Sequence, residues 1–407
     1  MGWDSDGEGG GRFARVIADL LDAAHLVAPD QLPELIGATA GALGARASRI
    51  WLVDHQQRTL VPLGADEADE GIEPAAVDRT VAGRAFSSCE PVEVPAQVGG
   101  VRLWMPLVDG VDRIGVLELD VESVTPQSRE AFRHLASIAT SEIITRGQYT
   151  DAFTVARRRQ TMSLAAELQW QTIPPITFAT RDVTIAGILE PAYHIGGDTF
   201  DYAFNDGVLD VGLFDAVGHG LVSSHLSTLA LGAYRNRRRS GDELPAMGDG
   251  VDDVIRDHDG VDDYVTGQLA RLDVETGVLC WLNAGHPLPL LIRQGRVVAT
   301  LACPPRPPFG LGHLSPACAA VIAEDQLEPG DAVLMYTDGI IEARRPGGWD
   351  FGIERLTDFM DRAFAAGLSP AETLRRLSHA VLDFHSGSLQ DDATTVLVSW
   401  HPQRPTS

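Results

Sequence analysis

The 407 residues predict an α+β chain of two mixed α/β domains joined by a helical segment. Three observations carry this. Over residues 12–147 helical and strand periodicities alternate in the order helix, hairpin, helix, hairpin, long helix. Over 176–401 short apolar strands recur and meet acidic residues at their ends. Between the two, 148–175 is polar and helix-favouring until Pro174 and Pro175 stop it. At roughly 150 residues per domain the length allows two or three domains, and 44% hydrophobic content lets each bury a core.

Each element has a local cause. Residues 1–11 are Gly-rich and acidic and are expected to be a disordered tail, because such composition buries too little surface to offset chain entropy. Phe13, Val16, Ile17, Leu20 and Leu21 recur at helical spacing, and Pro33 opens a second helix with Leu35, Ile36, Ala40 and Leu43 inward. Arg49 to Val53 and Leu60 to Leu63 flank a polar turn as a hairpin does, and the acidic run Ala65 to Glu73 reads as a loop. A short helix covers Val81 to Phe86. Arg102 to Val108 and Arg113 to Val121 form a second hairpin through Asp109 and Gly110, and Pro126 starts a long helix. From Thr150 to Thr172 a ragged apolar stripe is interrupted by Arg157 to Arg159. This reads as one exposed linker helix, or as a signalling helix pairing with its copy in a homodimer. Residues 402–407 form a tail.

The 32 basic residues are all Arg. Without Lys, a Walker-type phosphate loop, a kinase lysine, a Schiff-base nucleophile and a phospho-accepting receiver site are excluded. The formal charge of -25 disfavours a broad grip on nucleic acid or anionic membrane, so the expected partners are proteins and small molecules. The N-terminus lacks the pattern of a secretion signal, no apolar run reaches membrane-spanning length, and the expected location is cytoplasmic. Cys89, Cys280, Cys303 and Cys318 are scattered without a C-x-x-C pair and read as isolated thiols.

The chemistry concentrates in the second half. Gly196-Gly197-Asp198-Thr199-Phe200-Asp201 follows an apolar strand over Val183 to Leu189. Leu209, Val211 and Leu213 alternate along a strand that runs into Asp215-Ala216-Val217-Gly218-His219-Gly220. Ala332 to Tyr336 is a buried strand ending in Thr337-Asp338-Gly339, and Asp391-Asp392-Ala393-Thr394 enters the last strand. Strands of one packed sheet share an edge, so these carboxylates can converge. Hard divalent cations are the physical reason to gather them: Mg²⁺ and Mn²⁺ prefer oxygen ligands, and the like charges would otherwise repel.

Two resemblances follow from these motifs. Residues 12–147, with the closing phrase LWMPLVDGVDRIGVLEL at Leu103 to Leu119, resemble a GAF sensory domain, which implies an unidentified small-molecule ligand. The ordered set GGDTFDY, DAVGHG, LNAGHPLPLL, FGLG, LEPGDAVLMYTDGIIEAR and DDATTVLV, introduced by ELQWQTIPP, resembles the SpoIIE-type branch of the PPM protein serine/threonine phosphatases. That resemblance implies an αββα sandwich over 176–401 and two Mn²⁺ or Mg²⁺ ions. It implies further that Asp215 bridges the ions, that the Ala216 carbonyl ligates one, and that Asp198, Asp338 and Asp391 supply the remaining carboxylates. A water of lowered pKa would then attack a phosphoserine or phosphothreonine phosphorus. The implied substrate is a STAS-type anti-sigma-factor antagonist in stress-response sigma-factor regulation.

Other residues carry two readings each. Related branches place a His close behind the bridging Asp; here Val217 stands there and His219 comes later, so His219 reads as a general acid or, in preference, as a packing residue between glycines. Asp392 reads as a supporting or strand-entry residue and Asp201 as an orienting one. Asn283 to Pro287 reads as a structural turn. Arg235 and Arg237 to Arg239 read as a solvated helix end rather than a substrate contact. Glu342 and Arg344 read as paired structural residues rather than substrate contacts, and Cys89, His25, His55 and His134 as ordinary ones rather than chromophore or haem ligands. The competing function is a catalytically silent phosphatase-fold scaffold or ligand-sensing module that acts by docking a partner.

Overall fold

The structure is a computed structural model; it describes residues 7–64, 72–194, 196–258, 263–314, 321–345, 349–385, 389 and 391–402. The chain divides into two compact units, 1–160 and 161–407. The loop expected over 65–73 falls largely outside the described residues, as does Cys318.

In the first unit α1 (Gly7–Ala24) and α2 (Leu32–Ala42) lead into β1 (Ala45–Val53), β2 (Thr59–Pro62) and β3 (Ala75–Ala76). After α3 (Val81–Ser88) come β4 (Val92–Pro95), β5 (Val101–Asp109) and β6 (Asp112–Val121), then α4 (Pro126–Arg146) and α5 (Ala152–Arg157). The six strands form one antiparallel sheet in the order β3-β2-β1-β6-β5-β4. Period-two alternation sorts its two faces. Ile50, Leu52, Leu103 and Leu117 pack on Ile36, Phe132 and Leu135 of α2 and α4, while Trp51, Val53, Trp104 and Val116 pack on Ala85 and Phe86 of α3. The tail expected over 1–11 is shorter than its composition suggested: α1 already starts at Gly7, continuous with the apolar stripe that buries Leu20.

The expected single linker helix is two. α5 ends at Arg157, whose Nε donates to the Val53 carbonyl (2.9 Å), and α6 (Leu164–Thr172) restarts at Ser163, whose hydroxyl accepts from Ala166 N–H. The new N-cap at Ser163 marks where the second helix restarts.

The second unit continues with β7 (Thr177–Ala179), β8 (Val183–Glu190), β9 (Asp198–Asn205) and β10 (Val208–Ala216), then α7 (Leu221–Arg239) and α8 (Leu244–Arg256). β11 (Val265–Asp273), β12 (Val278–Ala284), β13 (Leu290–Arg293), β14 (Arg296–Thr300), β15 (Ala323–Gln326) and β16 (Ala332–Tyr336) follow. α9 (Asp338–Ile341), the small pair β17 (Arg344–Arg345) and β18 (Trp349–Asp350), α10 (Gly352–Ala365), α11 (Pro370–Phe384) and β19 (Ala393–Trp400) complete it. One sheet runs β15-β12-β11-β10-β9 and the other β14-β13-β16-β19-β8-β7. Their inner faces share one core, with Phe200, Leu213 and Trp281 of the first sheet against Ile185, Met335 and Val396 of the second. α7 and α8 cover the outer face of the first sheet through Leu226, Tyr234 and Met247; α9, α10 and α11 cover the second through Ile340, Leu356 and Leu377. The layering is helix, sheet, sheet, helix, and each buried large side chain contributes about 1.5–3 kcal/mol by leaving water. Among the described residues no helix is long and apolar enough to cross a membrane.

Candidate active site

The site starts from a hairpin. β9 and β10 are joined by the two-residue turn Asp206-Gly207, both at positive φ (49° and 81°), and this turn sets the register. Eight pairs along, the register places Asp198 directly opposite Asp215. Asp198 therefore opens a strand, rather than trailing the strand expected over 183–189 as its position in the sequence suggested. Asp198 is 1% exposed, and its carboxylate accepts from the Thr337 hydroxyl (2.7 Å). Thr337 in turn accepts from Thr394 N–H (2.9 Å), so the ends of β16 and β19 in the second sheet are tied to β9 in the first.

Asp338 is the first residue of α9, immediately after Thr337, and Asp391 stands exposed two residues ahead of β19. Asp392 turns inward. Its Oδ2 accepts from the backbone N–H groups of Gly196 (2.8 Å), Gly197 (2.6 Å) and Asp198 (3.3 Å), closing the loop in front of β9. That loop needs glycine for lack of space: a Cβ on Gly197 would stand 2.7 Å from the Ala216 carbonyl oxygen, and one on Gly196 would stand 2.5 Å from the Gly220 nitrogen. Ala216, the last residue of β10, is buried and its N–H donates to Gly197 O (3.2 Å).

The carboxylates of the cluster act strongly on one another. Burial, followed by repulsion from Asp338, Asp391 and Asp392, pushes the Asp215 carboxyl up to about 8. Burial, Asp215 and Asp392 raise Asp198 well above the carboxylate range, and burial with Asp391 and Glu342 raises Asp338. Burial also raises Asp392, against the pull of its three amides. Such a set is unstable as anions without a cation. Among the described residues no three His, Cys, Asp or Glu are gathered tightly enough to enclose one ion. The carboxylate donors are of the oxygen type that hard divalent cations prefer.

His219 is exposed on the turn between β10 and α7. Asp201 is buried and paired with Arg235 (2.6 Å) and Arg238 (2.7 Å), and Arg235 also donates to the Thr172 carbonyl. These two arginines therefore belong to the fold rather than to a solvated helix end, and Arg238 further lies over the Tyr234 ring at 4.8 Å. Replacing Asp201 by Ala should lower the unfolding free energy by about 2 kcal/mol, below the usual range for a broken buried pair because Arg235 is partly exposed, without weakening Mn²⁺ binding. Urea melts and calorimetric titration check both halves. Asn283 forms the expected turn: its Oδ1 accepts from His286 N–H and its Nδ2 donates to His286 O, both at 2.8 Å. Sequence reading missed Thr337 as the partner of Asp198, and Gln169, whose buried amide donates to Ser227 Oγ (2.7 Å) and toward the Gly196 carbonyl (3.4 Å). Neither residue has a local pattern that announces such a long-range bond.

A family model described as Stage II sporulation protein E (SpoIIE) matches residues 205–401. The match falls wholly within the second unit, where residues 205–401 correspond to a SpoIIE-type phosphatase domain. Members of this family are protein serine/threonine phosphatases. The matched span takes in Asp215, Asp338 and Asp391; Asp198 and Asp201 precede it. Among curated proteins, Protein IcfG of Synechocystis sp. is 25% identical over 252 residues, covering 53% of this chain and 37% of its own length. Among solved structures, the RsbU and RsbW domains of a Mycobacterium tuberculosis protein align at 26% identity and a TM-score of 0.45, covering 57% of this chain and 63% of that one. The PP2C phosphatase domain of Bacillus subtilis SpoIIE, with a fragment of its regulatory domain, aligns at 20% identity and a TM-score of 0.45, covering 55% and 66%. The chain thus spans just over a third of that curated relative and under two thirds of these solved chains.

Proposed function

We propose that the chain is a sensor-regulated, metal-dependent phosphatase that hydrolyses phosphoserine or phosphothreonine on a protein substrate of the STAS type. The observation that carries this reading is the convergence of Asp198, Asp215, Asp338 and Asp391 from four separate segments onto one rim of the sandwich, where Asp215 raises the proton affinity of Asp198, Asp338 that of Asp215, and Asp391 that of both Asp215 and Asp338. These residues and the Ala216 carbonyl would hold two Mn²⁺ or Mg²⁺ ions. Bound there, the ions supply Lewis acidity that polarises the phosphoryl group and activates water. Asp392 and Thr337 do the positioning: the first holds the loop 196–198 by its amides, and the second fixes the Asp198 carboxylate. His219 is exposed on its turn, and this reading assigns it no role as a general acid. Retention of all four carboxylates argues against a silent scaffold.

The first unit's central antiparallel sheet, with helices on both faces, supports the GAF-like sensor reading. The decisive assay measures Mn²⁺-dependent phosphate release from phosphorylated STAS proteins by the full chain and by a fragment starting at Thr161. Regulation predicts rates differing by at least about fivefold, the lower end of ordinary coupling. Equal rates would remove the regulatory half, and no release from either form would remove the enzymatic one.

A further inference from the structure

His286 sits behind the carboxylate rim, in a turn that would be complete without its ring. Asn283 already holds both backbone groups of His286, yet the imidazole is buried, 7% exposed, and points back into the sandwich. Its Nδ1 lies 2.8 Å from the Thr266 hydroxyl. Thr266 on β11 is the cross-strand partner of Asp215, and its hydroxyl also reaches toward the Asp215 carbonyl (3.4 Å). On the other side the Tyr336 carbonyl acts on the ring, although Nε2 has no well-aligned hydrogen bond. Tyr336 ends β16, two residues before Asp338. The ring therefore lies between the strand ends that present Asp215 in one sheet and Asp338 in the other. Burial keeps it neutral, with its pKa lowered to about 3, so it adds no charge to the rim. A position that needed only volume would be filled with less desolvation by Leu or Phe.

We propose that His286 is a positioning residue for the metal site, holding Thr266 against Asp215 and setting the distance between the β10 and β16 ends. It touches neither substrate nor ion. The proposal rests on the reading of Asp215 and Asp338 as metal ligands.

The test compares the full chain with His286→Phe, His286→Gln, Thr266→Val and the double variant His286→Phe/Thr266→Val. Mn²⁺ affinity is measured by calorimetric titration, kcat and KM on p-nitrophenyl phosphate, and melting temperature without metal. His286→Phe and Thr266→Val should each weaken Mn²⁺ binding by about 10-fold or more, the loss usual for residues that orient a ligand. Both should lower kcat with KM nearly unchanged. The double variant should be little worse than either single one, because both break one linkage. His286→Gln, which keeps a donor and an acceptor, should recover part of the affinity. If His286→Phe does not fold, Thr266→Val decides, being nearly isosteric. Wild-type Mn²⁺ affinity in the folded variants, or losses that multiply in the double variant, would overturn the positioning role. Absence of hydrolysis by the unaltered chain, with metal binding still weakened by Thr266→Val, would instead sink the phosphatase reading and leave this one standing.

Discussion

Asp215→Asn should abolish Mn²⁺-dependent phosphate release, lowering it by more than about 100-fold, beyond the loss typical of residues that only support a ligand. The same substitution should make the metal-free protein more stable above pH 5. The Asp215 carboxyl is pushed up to about 8, by burial first and then by Asp338, Asp391 and Asp392. The folded state thus holds a proton that the unfolded chain releases near pH 4. Stability from this group is fully present below the unfolded value and is lost as pH rises through the folded one. A metal-free wild-type chain should therefore lose roughly 2 kcal/mol or more between pH 4 and pH 8, and Mn²⁺ should restore it. Asn cannot ionise, so the variant should show a flatter profile and no such response to Mn²⁺. Denaturant melts across that range, with and without Mn²⁺, check both statements. Undiminished phosphate release by the variant would remove Asp215 from the site.

Gly339→Ala should be the most damaging single-methyl change near the rim. A Cβ there would stand 1.8 Å from the Asp392 carbonyl oxygen and 2.8 Å from its carbon, and both are backbone atoms that no rotamer change can move. The contact joins the start of α9 to the entry of β19, so relief must separate Asp338 from the Asp391-Asp392 pair. We expect a loss of about 3 kcal/mol or more in unfolding free energy, the upper part of the range for overpacking, together with weakened Mn²⁺ binding. Thermal melting and calorimetric titration on the same preparation check the two effects. Wild-type values for both would mean that the α9 and β19 ends can part freely.

How much of this was legible in the sequence depends on whether the cause is local. The alternation of Leu209, Val211 and Leu213 marks β10 and delivers Asp215 to its end, because a period of two is written in consecutive residues. The pairing of Asp198 with Asp215 was not legible in the same way. It depends on a turn at Asp206-Gly207 and on Asp198 opening a strand of its own. Asp201 could be read as an orienting residue, but its two arginines lie 34 and 37 positions on, where only the packing of α7 over β9 brings them. Asn283 to His286 announced its turn, since an Asn side chain bonding nearby backbone is a local motif; the direction of the His286 ring depends on β11 and β16 and leaves no such trace. The linker shows the converse. Its helical composition is real, and a new cap at Ser163 divides it.

The amides of Gly196, Gly197 and Asp198 form a small concave donor set of the kind that elsewhere cradles phosphate, and here Asp392 already fills it. The chain has no Lys, and Arg235 and Arg238 are committed to Asp201. An anionic group arriving at this rim therefore meets acidic side chains and an occupied cradle. On the proposed reading, divalent cations held by these carboxylates would have to make the rim attractive to a phosphate group, so substrate capture as well as turnover should rise and fall with the supply of metal.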